Sequence, residues 1–218
     1  QVGWFENPHV AGERYEKDIE VEVLPPELVS YAAGDDFSVD SEIMVSLRRY
    51  QRESACICDY IKGHAGDSRR PIVFFDGSLV ASFTARLPDE IRAAYLKATL
   101  AMLAASRDAQ APLIGYVDTS YARDLVEMVV AATASRARRV GDASLLAGYM
   151  AWGDRSPAYI CARSDRVLSE YQDADGWDWS RQVAFVYLKT TAHLPPARVE
   201  FPLWMVEAGR LDDALDIV

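Results

Sequence analysis

Between about residues 40 and 62, Ile43, Leu47, Tyr50, Ser54, Ile57 and Ile61 recur at spacings of three and four. That period puts them on one face and predicts a core-facing helix. Ser38 or Asp40 would cap its start, and Gly63 and Gly66 would end it. Arg49, Glu53, Cys56 and Tyr60 form a neighbouring stripe. The pattern then turns continuous: PIVFFD, 71–76, is an apolar run closed by a carboxylate. It predicts a buried, central strand. Pro88 with Asp89 and Glu90 opens a second helix to about Ser106, with proline in the first turn and acids near the positive helix end. A short apolar strand over 111–117 follows, and Thr119 or Ser120 would cap a helix over about 121–138. Helix, strand, helix, strand, helix predicts an α/β layer with a largely parallel sheet.

The flanks are less regular. DIEVEVL, 18–24, alternates, so Ile19, Val21 and Val23 would face a core, and Gln1–Phe5 would belong to the same meander. After Gly141 the pattern predicts a short helix over 142–150, a strand over 158–162 and a helical turn over 165–171. DADGWDW, 173–179, reads as a loop with two exposed-looking tryptophans, Trp177 and Trp179, which would stack on bases or anchor a subunit contact, or equally form a buried staple under the loop. Strands over 183–189 and 197–201 would pair antiparallel across TTAHLPP, and a helix would run from Leu203 to Leu215. Glu200 falls on an edge-like strand ended by Pro202 and reads as structural, with a role behind the site acids as the lesser alternative. Nothing divides the chain, so residues 1–218 read as a single domain.

The 218 residues are 50% hydrophobic, which is enough for one sizeable core. A charged fraction of 26% with 11% aromatics is that of a folded chain. The net charge of −10 argues against a general nucleic-acid coat. It leaves room for a nuclease in which metal ions and a local basic strip meet the phosphates. No apolar run approaches the roughly 20 residues of a membrane helix. QVGWFENPHV has neither a signal-peptide pattern nor an initiator Met, so part of the natural chain is expected upstream. Cys56, Cys58 and Cys161 are sparse, lack zinc-site spacing, and read as reduced packing residues of a cytoplasmic protein.

Two acids carry the candidate chemistry. Asp76 ends a strand, and Glu53 lies on the helix before it, which packs back across the sheet. Carboxylates converging there would suit Mg²⁺ or Mn²⁺, which prefer oxygen ligands and serve phosphodiester displacement. Locally, Asp76-Gly77 is also a turn signal, and Glu53 with Arg49 at i−4 also reads as a solvated helix face. Arg48, Arg49 and Arg52 surround Glu53 and are placed to hold a phosphate backbone. Arg136, Arg138 and Arg139 form a denser cluster that suits a helix C-terminus. His9, His64 and His193 lie in polar loops, and Gly77-Ser78 lacks the G-x-S-x-G elbow of a serine hydrolase.

RESACICDYIKGHAGDSRRPIVFFDGSL (52–79), PLIGYVDTSYARDLVEMV (112–129) and FVYLKTTAHLPPARVEFPLWM (185–205) form an ordered set of segments. That set resembles the NurA nuclease family. The resemblance implies an RNase H-like fold and a Mn²⁺-dependent DNA nuclease. It implies action on single strands and duplex ends, in end resection with a hexameric HerA-type helicase, as a homodimer. Glu53 and Asp76 match two of the family's metal-binding acids. The family's first acid has no match before Glu53, and its C-terminal Tyr and His would fall past Val218. Asp118 stands where the family often has Ser-Lys, and would face the site as an extra acid. The alternative is a degenerate, non-catalytic interaction or scaffold domain that partners a helicase.

Overall fold

The helical seam of Leu47, Tyr50, Ser54 and Ile61 is buried along a 23-residue helix, α1 (Ser41–Gly63), in a computed structural model of the chain. The structure describes residues 1–8, 12–25, 31–32, 38–39, 41–67, 70–133, 139–162, 166–172 and 176–216. Asp40, His9, Arg136 and Arg138 lie outside the described residues.

Helix α1 packs on α2 (Asp89–Ala109). Two buried polar contacts fix their register: Tyr50 Oη meets Thr99 Oγ1 at 2.7 Å, and Ser54 Oγ donates to the Ala98 carbonyl at 2.7 Å. Between the two helices runs β5 (Val73–Phe75), and after α2 comes β6 (Leu113–Val117). Two hairpins precede them, β1 (Val2–Glu6) with β2 (Glu16–Glu20) and the short β3 (Tyr31–Ala32) with β4 (Ser38–Val39). The later elements are α3 (Asp124–Thr133), α4 (Asp142–Leu146), β7 (Tyr159–Ile160), α5 (Arg166–Ser169), β8 (Val183–Leu188), β9 (Ala197–Pro202), α6 (Trp204–Glu207) and α7 (Leu211–Leu215).

The main sheet has five strands in the order β5-β6-β9-β8-β7. Only β5 and β6 are parallel, joined by the α2 crossover; every other pair is antiparallel. The expectation of a largely parallel sheet is thus corrected. The short return from β8 inserts β9 beside β6, so the late pair completes the same sheet. Two further expectations change with this order. The strand carrying Asp76 is an edge, not the centre, and Phe74 on it is exposed. The strand carrying Glu200 is the middle one of the five, not an edge. Pro202 is tolerated there because it ends the strand.

Alternation along the strands splits the core in two. Val73, Phe75, Leu113, Val183, Phe185 and Tyr187 face α1 and α2. Ile114, Ala184, Val186, Val199 and Phe201 face the other way, against Met205, Leu211 and Leu215 of α6 and α7. The helix expected over 203–215 is therefore two short helices, parted at Gly209, whose φ of 65° no regular helix contains.

Elsewhere the burial differs from the pattern. Ile19, Val21 and Val23 are 59%, 71% and 88% exposed, so the 18–24 alternation faces no core in this chain. Trp177 is exposed as expected, but Trp179 is buried. The Arg107 guanidinium lies 5.1 and 4.9 Å from the two indole rings, which gives the loop an anchor on α2. Cys58 and Cys161 are buried free thiols, and Cys56 is half-buried. Among the described residues, no helix is long and apolar enough to cross a membrane.

Candidate metal centre at the end of strand β5

Aromatic packing joins the two elements that carry the candidate acids. The Tyr50 ring on α1 meets Phe75, the last residue of β5, edge-on at 5.5 Å between centroids. Glu53 lies one helical turn beyond Tyr50, on the same face, and Asp76 directly follows Phe75. That contact joins the helix that carries Glu53 to the strand that Asp76 follows, and Asp76 lies near enough for its charge to act on Glu53. Tyr50 is held there by burial, which pushes its hydroxyl pKa up to about 12 against the lowering effect of its Thr99 hydrogen bond.

The electrostatics carry the same message. Burial raises the Glu53 carboxyl above its ordinary value; Arg49 opposes this, and the charge on Asp76 raises it further. Asp76 is exposed, and its carboxylate makes no hydrogen bond or ion pair with a described residue. Arg49 reaches Glu53 only at 3.8 Å, from a largely exposed position, where such pairs contribute little. Two carboxylates whose charges act on each other, one of them without a hydrogen-bond or ion-pair partner among the described residues, would offer oxygen ligands to a hard divalent cation. Mg²⁺ and Mn²⁺ take oxygen ligands, and Mg²⁺ keeps several waters when one or two carboxylates hold it.

The raised Glu53 pKa has a consequence for stability. A carboxyl whose folded pKa lies above its unfolded one adds stability below the unfolded value, and that stability is lost as pH rises through the folded value. Ionised Glu53 thus weakens the fold at neutral pH. Glu53→Gln is expected to melt above wild type at pH 7, with the advantage vanishing below about pH 4, near the ordinary glutamate range. Melts across pH 3.5–8 check this; an offset independent of pH contradicts it.

The arginines around Glu53 are engaged differently from one another. Arg48, Arg49 and Arg52 are all exposed. Arg52 Nε pairs with Glu22 at 3.2 Å, which ties α1 to the segment after β2. Among the described residues, no group of three His, Cys, Asp or Glu could hold a metal. Asp118, expected to add a further acid, instead lines a cavity of about 380 Å³ with Ser120, Tyr121, Arg123, Arg139 and Leu194.

Sequence reasoning undervalued a second polar group, behind the acid pair. Glu200, 1% exposed, accepts from Ser78 Oγ at 2.7 Å, Leu79 N–H at 2.7 Å and Val80 N–H at 3.2 Å through one oxygen. Its other oxygen takes Arg198 Nε at 2.6 Å. Arg198 also donates to Asp124 at 2.8 Å and lies 3.7 Å from the Phe185 ring centroid. Asp142 caps α3 from outside it, accepting the Leu125 and Val126 N–H groups at 3.0 and 2.9 Å and the Tyr187 hydroxyl at 3.0 Å. The cap expected from Thr119 or Ser120 thus comes from 17 and 16 residues downstream of the capped amides. The one legible signal was the pair of charges, Arg198 and Glu200, inside an otherwise apolar strand.

A mixed five-stranded sheet flanked by helices, with separate antiparallel pairs, defines an α/β domain. The NurA domain matches residues 1–218, and the chain belongs to that family. The family is nuclease-associated, which fits a hydrolase role. No curated protein and no solved structure matches the chain.

Proposed function

We propose that the chain is a divalent-metal-dependent DNA nuclease of RNase H-like layout, in which Glu53 and Asp76 hold Mn²⁺ or Mg²⁺. What supports this reading is the nearness of Asp76 to Glu53, whose carboxyl is raised first by burial and further by the Asp76 charge, with no hydrogen-bond or ion-pair partner for Asp76 among the described residues. When bound, such an ion supplies Lewis-acid stabilisation of the charge that develops during phosphodiester displacement. The chain's own residues orient the site. Glu53 and Asp76 present oxygens from a helix and a strand pinned together at Tyr50 and Phe75. Arg48, Arg49 and Arg52 offer guanidinium groups along α1 for the phosphate backbone. Arg49 and Arg52 would exchange their weak ion pairs with Glu53 and Glu22 for phosphates.

The remaining elements of the reading come from the family. They are action on single strands and duplex ends, end resection and repair beside a HerA-type hexameric helicase, a homodimeric state and a cytoplasmic site. The test is cleavage of end-labelled single-stranded and blunt duplex DNA by the full chain. Degradation with Mn²⁺ and none with EDTA is the expected result. No cleavage under either condition leaves the non-catalytic scaffold as the better account.

A further inference from the structure

We infer that Glu200 is the positioning residue for Asp76, acting through the turn at Ser78–Val80 to fix where that carboxylate points. The inference rests on the nuclease reading proposed above. Among the described residues Asp76 has no side-chain partner, so the backbone on either side of it sets its direction.

That backbone is held from several directions. Gly77 N–H donates back to the Phe75 carbonyl at 2.9 Å, turning the chain immediately after the acid. The next three residues give Glu200 Oε2 a hydroxyl and two amide donors. Donors converging on one oxygen form an anion nest, which a charged acceptor fills more strongly than a neutral one. Just past the nest, the Tyr171 hydroxyl accepts the Ala81 N–H at 2.7 Å and donates to the Leu79 carbonyl at 3.0 Å.

Glu200 reaches this turn across an intervening strand, because β6 lies between β5 and β9. Its registered neighbour on β6 is Gly115. A Cβ at Gly115 would stand 2.7 Å from the Gly77 carbonyl oxygen and 2.9 Å from Leu79 Cγ. The missing side chain is what lets the turn lie down on β6, within reach of Glu200. Arg198 meanwhile balances the buried charge through the second carboxylate oxygen. A residue needed only to fill space in the core would require neither the charge nor the glycine opposite it.

The test compares wild type, Glu200→Gln, Ser78→Ala and Asp76→Ala as full chains. Mn²⁺ alone is the probe, its binding is read by electron paramagnetic resonance, and amide exchange is read at Leu79 and Val80. Glutamine cannot serve both sides, since its amide would set a donor against either the turn or Arg198 Nε. Glu200→Gln is expected to weaken Mn²⁺ binding by about 10–100-fold, the usual effect of disturbing the groups behind a metal ligand. Ser78→Ala should shift it in the same direction by less, and both should speed exchange at Leu79 and Val80. Wild-type Mn²⁺ affinity in folded Glu200→Gln and Ser78→Ala overturns the inference. If Glu200→Gln does not fold, Ser78→Ala decides alone. If Asp76→Ala binds Mn²⁺ as wild type does, the nuclease reading itself fails and takes the positioning role with it.

Discussion

Asp76→Ala is expected to lower Mn²⁺-dependent DNA cleavage by the full chain by about 10²–10³-fold while leaving the melting midpoint near that of wild type. Lewis-acid stabilisation by a bound metal is worth several kcal/mol at the transition state, and each 1.36 kcal/mol is about tenfold in rate. Removing one of two protein ligands forfeits most of that. The fold should lose no contact, because the Asp76 carboxylate is exposed and bonded to no described residue, and removing its charge relieves part of the load on Glu53. The competing account, in which Asp76-Gly77 is only a turn, expects the reverse: altered stability and unaltered cleavage. Parallel rate and melting measurements on the purified variant separate the two.

The largest expected effect on stability lies at Arg198. Its side chain is 2% exposed and bridges Glu200 at 2.6 Å and Asp124 at 2.8 Å. Burial works against its charge, but Glu200, Cys161 and Asp124 outweigh burial and hold its proton more tightly than usual. Arg198→Ala would remove the guanidinium that Glu200 and Asp124 share, and breaking a buried pair from one side costs about 3–5 kcal/mol. Against a total stability of about 5–15 kcal/mol for an ordinary domain, that brings the chain close to unfolding. Arg198→Lys should not restore it, because a single ammonium lacks the planar fork that serves two acids and stacks on Phe185. Urea unfolding of the three proteins checks this; a loss below about 1 kcal/mol for Arg198→Ala contradicts it.

Regular local patterns were legible in the sequence. The α1 seam, the α2 start at Pro88–Asp89, and strands β5, β6, β8 and β9 all follow from periodicity. Strand order was not, because it depends on pairings far apart in the chain. Val73 to Phe75 read as central, yet they form an edge whose one-residue alternation leaves Phe74 exposed. Val21 and Val23 read as core and are exposed, since alternation reports a two-faced strand without saying what covers either face. The site divides in the same way. Glu53 and Asp76 could be proposed as a pair because a helix preceding a strand packs back on it. The nest that Glu200 fills could not be foreseen, because it joins residues 120 to 122 positions apart.

The central claim is that Glu53 and Asp76 share one cation, and a Mn²⁺-soaked crystal of the full chain measures that directly by anomalous scattering. The account predicts an anomalous peak within bonding distance of both carboxylates. A peak bonded to other residues, or no peak between these two at saturating Mn²⁺, would contradict it.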